Sequence, residues 1–105
     1  MFDTWHVPCY ICGMIVSFNY KELKQFYETG NPSKLTPEHI RKISNILALL
    51  DVAVEPVDMK VPGFNLHKLS GNLKDFWSVK VDKNYRIIFR FIGEGAVDVD
   101  YIDYH

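Results

Sequence analysis

Three runs near the end of the chain alternate apolar and polar residues with a period of two, and that period suits only strands that bury one face. Trp77, Val79 and Val81 interleave with Ser78 and Lys80. Tyr85, Ile87, Phe89 and Phe91 interleave with Arg86 and Arg90, and Val97, Val99 and Tyr101 with Asp98 and Asp100. The segment Asp82–Asn84 and the pair Gly93 and Gly95 supply the turns between them. The pattern predicts an antiparallel meander with one apolar face, which needs a second layer to cover it.

The preceding half of the chain offers that layer. Asn19 is placed to cap a helix running to about Glu28, with Leu23, Phe26 and Tyr27 on one face, before Gly30, Asn31 and Pro32 stop it. Thr36 caps a second helix, Pro37 takes its first position, and Ile40, Ile43, Leu47 and Leu50 recur at helical spacing. From Val54 to Gly63, Pro56 and Pro62 describe a connection without regular structure. The expected fold is therefore α+β: a helix hairpin packed on a twisted antiparallel sheet. Met14, Ile15 and Val16 read as a short leading strand, so the domain spans residues 14–105. Residues 1–13 read as a poorly ordered N-terminal extension that follows from a misassigned initiator, with Met14 the biological start, or as a genuine arm.

A chain of 105 residues holds one domain with a modest core. No apolar run approaches the roughly 18 residues of a membrane span, and a signal peptide's order of regions is missing, so a cytoplasmic protein with no membrane partner is expected. Cys9 and Cys12 form a single C-x-x-C pair without the further ligands of a structural zinc site. They read as reduced thiols, and neither metal nor cofactor is expected.

The formal net charge of −1 makes no general case for nucleic-acid binding, but the charge is segregated. Between Lys60 and Arg90 stand Lys60, Lys68, Lys74, Lys80, Lys83, Arg86 and Arg90 against only Asp75 and Asp82, a local excess of about +5. This stretch is either an RNA-facing surface or a solvated sheet face balanced by Glu94, Asp98 and Asp100.

Neither core nor turn accounts for His67, Arg86 or the terminal Asp103, Tyr104 and His105. Two histidines flanking a phosphodiester can divide the base and acid roles of RNA cleavage. A fixed guanidinium stabilises the charge that grows on the phosphoryl oxygens. His105 carries the α-carboxylate and lies near Asp103; both anions favour its protonated ring. Tyr104 offers a ring for an unstacked base or a hydroxyl near the phosphate. The same residues also fit a structural histidine, a solvent-facing strand and a frayed end.

The stretch LHKLSGNLKDFWSVKVDKNYRIIFRFIGEGAVDVDYIDYH, Leu66 to His105, resembles the HigB toxins of the RelE superfamily. It combines their Leu-His-x-Leu-x-Gly segment, Trp-Ser strand start, Asn-aromatic-Arg-Ile strand and terminal Asp-Tyr-His; the likeness extends more loosely back to Met14. The resemblance implies a RelE-like fold and a ribosome-dependent endoribonuclease acting on messenger RNA in the 30S A site. It assigns catalysis to His67, Asp103, Tyr104 and His105, with Arg86 on the phosphate. Lys68, Lys74, Lys80, Lys83 and Arg90 are the cations around them, expected to contact RNA or ribosome. A HigA-type antitoxin with a helix-turn-helix domain is the implied partner, and operator DNA is met only through that complex.

The sequence departs from its relatives at Ser70 and Leu73, where they often carry basic residues, and at Asp75, where they carry glycine. These departures lower the local positive charge, which affects affinity more than acid/base chemistry. Two other functions fit the fold: a ParE-like toxin that inhibits gyrase without catalytic histidines, and a degenerate relative that only binds antitoxin. The Asp-Tyr-His end argues against the first, while Ser70 and Leu73 keep the second open.

Overall fold

The computed structural model describes residues 15–93 and 95–103; the expectations for residues 1–14, Glu94, Tyr104 and His105 lie outside it. The four strands form one antiparallel sheet in sequence order: β1 (His67–Lys68), β2 (Trp77–Lys80), β3 (Tyr85–Ile92) and β4 (Gly95–Asp103). The leading segment joins the edge of this sheet with parallel bridges, Ile15 to Ala96 and Phe18 to Val99.

Two helices cover one face. Helix α1 (Lys21–Thr29) starts after Tyr20, not at the Asn19 cap expected from sequence. The Asn19 N–H is instead bonded to the Val99 carbonyl at 2.8 Å, so the sheet edge claims this residue and delays the helix. Gly30 ends α1 in the left-handed region at φ 77°, where a side chain is unfavourable, and its N–H satisfies the Phe26 carbonyl. Thr36 and Pro37 open a single 3₁₀ turn (Pro37–His39) that leads into α2 (Ile40–Val52), with Ile43, Ile46, Leu47 and Leu50 buried. The connection after α2 is more regular than its prolines suggested. A 3₁₀ turn spans Pro56–Met59, held by a reciprocal capping box between Glu55 and Asp58, and buries Met59.

The helices contain 9 and 13 residues, too short to persist alone in water, so the apolar faces they share with the sheet hold them. Leu23, Ile43, Ile46 and Leu50 meet Val79, Ile87, Phe89, Val99 and Tyr101 in one core cluster. The Asp51 carboxylate ties the layers at one end. It accepts the Tyr27 hydroxyl from α1 and lies 3.5 Å from the Ile15 N–H. Burial first, then the bond to Asp51, pushes the Tyr27 phenol up to about 12.

One expected alternation fails, and the failure shapes the outer face. Val97 does not share a side with Val99, because the β3–β4 register shifts by one residue between Ile88 and Arg90. The bulge centres on Asp98, whose φ of 54° places it in the left-handed region that aspartate tolerates, and whose N–H is held by Ser17 Oγ at 2.8 Å. Ala96 and Val99 therefore both join the core, while Val97 is buried outside it.

Phe89 is fully buried at the centre of the two layers and meets Phe91 edge to face at 5.8 Å. Phe89→Ala should cost about 3–5 kcal/mol, measured as a shift in the urea unfolding midpoint at constant slope. A loss below about 1 kcal/mol would show that the core does not rest on this ring.

Candidate active site

The strand ladders decide which of the candidate residues can act together. His67 on β1 lies opposite Ser78 on β2, and Ser78 lies opposite Ile88 on β3. Lys80 pairs with Arg86, two positions along, and Arg86 pairs in turn with Ile102 on β4. Since residues two apart share a side of a strand, His67, Ser78, Lys80, Arg86 and Ile88 occupy one face. That face is the side away from the helices. Phe76, one step before the Trp77–Phe89 pair, comes opposite Arg90 and adds both residues to the same surface.

Ser78 is the centre of this surface and is fully buried, although it sits on the face that the helices leave uncovered. Arg86 lies across it, Nη1 donating to the Ser78 hydroxyl oxygen at 3.0 Å. A hydroxyl buried on this face needs such a partner, and the bond fixes one edge of the guanidinium beside the row that carries His67. His67 itself is exposed, as a group meeting a substrate must be.

The other predicted cations divide by position. Lys80 shares the His67 face and is half-buried; Lys74 and Lys83 are exposed in the connections before β2 and between β2 and β3. Lys68 pairs with Trp77 and lies on the opposite side, its Nζ 5.6 Å from the centre of the indole. Arg90 donates from Nε to Asp98 at 2.8 Å, so its charge is partly balanced by one of the acids read from the sequence as counterweights. Asp103 pairs with Tyr85, which places it on the Tyr101 side at the end of β4. Tyr104 and His105 follow it, outside the described residues.

Sequence reasoning missed a second cluster, which sits below that end of the sheet. His39 is 6 % exposed and spans three elements. Its Nε2 lies 2.6 Å from Asp82 in the β2–β3 turn and its Nδ1 2.5 Å from the Tyr101 hydroxyl on β4. An ionised Asp82 carboxylate can only accept, so Nε2 is the ring's donor toward it, and Nδ1 shares the second hydrogen bond with the Tyr101 hydroxyl. Tyr85 packs on both partners, stacked on Tyr101 at 5.3 Å and tilted against His39 at 5.0 Å. Tyr20 meets Tyr101 edge to face. One signal was available in the sequence: a histidine in the first turn after Pro37, where a helix start favours anions.

The chain Tyr101–His39–Asp82 has the connectivity of a nucleophile, base and orienting group, but the tyrosine is 7 % exposed. Burial raises the Tyr101 phenol further above its ordinary value. The cluster therefore fixes strand ends and is not presented to a substrate. Among the described residues no group of three or more metal-ligating side chains occurs, and no helix is long and apolar enough to cross a membrane.

Asp82 makes the cluster sensitive to acid. The Asn84 backbone N–H holds its carboxyl below the usual range, with further contributions from His39 and the Tyr85 N–H. A carboxyl lowered on folding stabilises fully above the ordinary carboxylate range, and that contribution is lost as pH falls through the depressed value. The unfolding midpoint of Asp82→Asn should accordingly lie below wild type at neutral pH, with the gap closing toward pH 2. Parallel pH curves for the two proteins would assign the carboxylate no such part.

Comparison with known proteins matches residues 16–105 to the family described as RelE-like toxin of type II toxin-antitoxin system HigB. Two relatives are 36 % identical: an endoribonuclease HigB of Proteus vulgaris, aligned over 88 % of this chain and 100 % of its own, and toxin HigB-1 of Vibrio cholerae serotype O1, over 88 % and 98 %. Among solved structures, a YoeB/ParE toxin from Agrobacterium tumefaciens superposes with a TM-score of 0.51 at 13 % identity, covering 88 % of this chain and 99 % of that one, a likeness of fold alone.

Proposed function

The chain belongs to the HigB-like family of RelE-like toxins, and from that premise we propose that it is a ribosome-dependent endoribonuclease that cuts messenger RNA by histidine acid/base chemistry. The observation that carries this reading is the single sheet face on which exposed His67 and the Ser78-held Arg86 stand together. The relative from Proteus vulgaris, named an endoribonuclease, supports the reaction class.

In the proposed reaction the ribose 2'-hydroxyl loses its proton to a base and attacks the adjacent phosphorus. The bond to the departing 5'-oxygen breaks as an acid protonates that oxygen. The products are a 2',3'-cyclic phosphate and a 5'-hydroxyl. His67 and His105 divide the two proton transfers. Arg86 faces the phosphoryl oxygens, where negative charge is greater in the transition state than in the substrate, so its bond contributes to rate more than to binding. Its preorientation by Ser78 spares the ordering of a long side chain during the reaction.

Asp103 is the last residue of β4, with Tyr104 and His105 next in sequence, and a carboxylate so near in sequence suits a His105 imidazole that acts as the acid. Tyr104 supports a flipped base or the phosphate from the same tail. Lys68, Lys74, Lys80 and Lys83 hold RNA or ribosome by charge. The ribosome supplies the strand in its 30S A site and compensates for a surface depleted of cations at Ser70 and Leu73. A type II toxin requires an antitoxin; a HigA-type protein with a helix-turn-helix domain fits that role, reading operator DNA while this chain does not. A cytoplasmic location fits this set of partners.

His67→Ala and His105→Ala should each abolish cleavage of ribosome-bound message in single-turnover assays, and residues appended directly after His105 should impair it by displacing the imidazole. Ser78→Ala should lower kcat about 10- to 100-fold with little change in KM, the mark of an interaction stronger in the transition state, and Ser78→Thr should restore most of it. Full activity in either histidine variant would sink the mechanism.

A further inference from the structure

Arg90 differs from the other cations on the His67 face in how it is held. Its Nε donates to Asp98 at 2.8 Å, and its Cζ lies 6.0 Å from the centre of the Phe76 ring, directly across the strand pair. The side chain is still 35 % exposed. The Asp98 backbone is held in the bulge, its N–H bonded to Ser17 Oγ, and the guanidinium has this residue's carboxylate at its edge and the Phe76 ring beside it.

This arrangement suits a purpose other than phosphate binding. A phosphate anchor needs uncompensated charge and reach, whereas Arg90 has a carboxylate on its edge. What remains is a flat, partly desolvated plane that holds its direction. Guanidinium planes and aromatic rings are the surfaces on which proteins stack unpaired RNA bases. Along β3, Arg90 stands two residues, about 7 Å, from the row of Ile88, Ser78 and His67. A nucleotide whose phosphate meets His67 and Arg86 therefore has a neighbouring base within reach of the Arg90 plane.

We propose that Arg90, with Phe76 behind it and Asp98 at its edge, is a stacking subsite for a nucleobase of the messenger RNA next to the cut, and that it sets base preference there. The inference rests on the ribonuclease reading above. It replaces the role of charge carrier that the sequence suggested for Arg90 with one of shape. A purine presents the larger π surface, so the subsite favours a purine over a pyrimidine.

The test measures single-turnover cleavage of ribosome-bound messages that differ at each codon position, for wild type, Arg90→Lys and Phe76→Leu, over a range of salt. Arg90→Lys keeps the charge and loses the plane; Phe76→Leu keeps the arginine and loses its backing. Wild type should prefer a purine at one position by about 5- to 100-fold. Both variants should flatten that preference by slowing the purine codons more than the others, while keeping the salt dependence of wild type. Arg90→Lys lies at the surface, so its result stands even if Phe76→Leu lowers stability. Three outcomes overturn the subsite: no purine preference in wild type, an unchanged preference in Arg90→Lys, or an Arg90→Gln rate that falls evenly over all codons while the salt slope drops by about 0.7, as for one lost phosphate contact. A wild-type protein that cuts no message at all would instead fail the ribonuclease reading, and this inference with it.

Discussion

The contact that joins His39, Asp82 and Tyr101 organises the end of the sheet at which β4 finishes. One imidazole joins the entry to α2, the β2–β3 turn and the last strand, and the same Asp82 carboxylate closes that turn through the Asn84 and Tyr85 N–H groups. Tyr85 and Tyr101 stack beside it, and Tyr85 is the ladder partner of Asp103. The end of β4 at Asp103 is thus clamped from below. The His39–Tyr101 bond is buried and gains from its low-dielectric surroundings, whereas the Asp82 carboxylate is 42 % exposed and its bonds are part-buried.

On the opposite side, a different economy holds. The bulge at Asp98 sends Val97 to the outer face, where with Ile88 it forms a buried apolar floor outside the main core. Polar groups stand on and around that floor in fixed relation: His67 exposed, Arg86 bound to Ser78, Arg90 bound to Asp98. Side chains anchored on a rigid sheet hold their geometry better than side chains on loops, which is what a site stabilising a short-lived charge distribution requires. The face that packs the core and the face that carries the candidate site belong to the same four strands.

Much of this was legible in the residues. The period of two in Tyr85, Ile87, Phe89 and Phe91 identified the buried side of β3, and Pro37 with Ile43, Leu47 and Leu50 identified α2 and its stripe. What escaped was decided by contacts distant in sequence. Asn19 gave its N–H to the sheet edge and lost the cap; a single residue in the left-handed region at Asp98 reversed the side on which Val97 lies. Beyond its place after Pro37, His39 carries no pattern that names its partners, which lie 43 and 62 residues away. For the site, spacing alone gave candidate residues without grouping. The ladder supplied the grouping, uniting His67, Arg86, Lys80 and Arg90 on one face and setting Lys68 on the other.

Primer-extension mapping of a message on programmed ribosomes, with a ribosome-free control and analysis of the RNA ends, tests the central claim most directly. The account predicts discrete cuts within the A-site codon only when ribosomes are present, leaving a 2',3'-cyclic phosphate and a 5'-hydroxyl. An intact message under those conditions, or cuts that leave a 5'-phosphate, would contradict it.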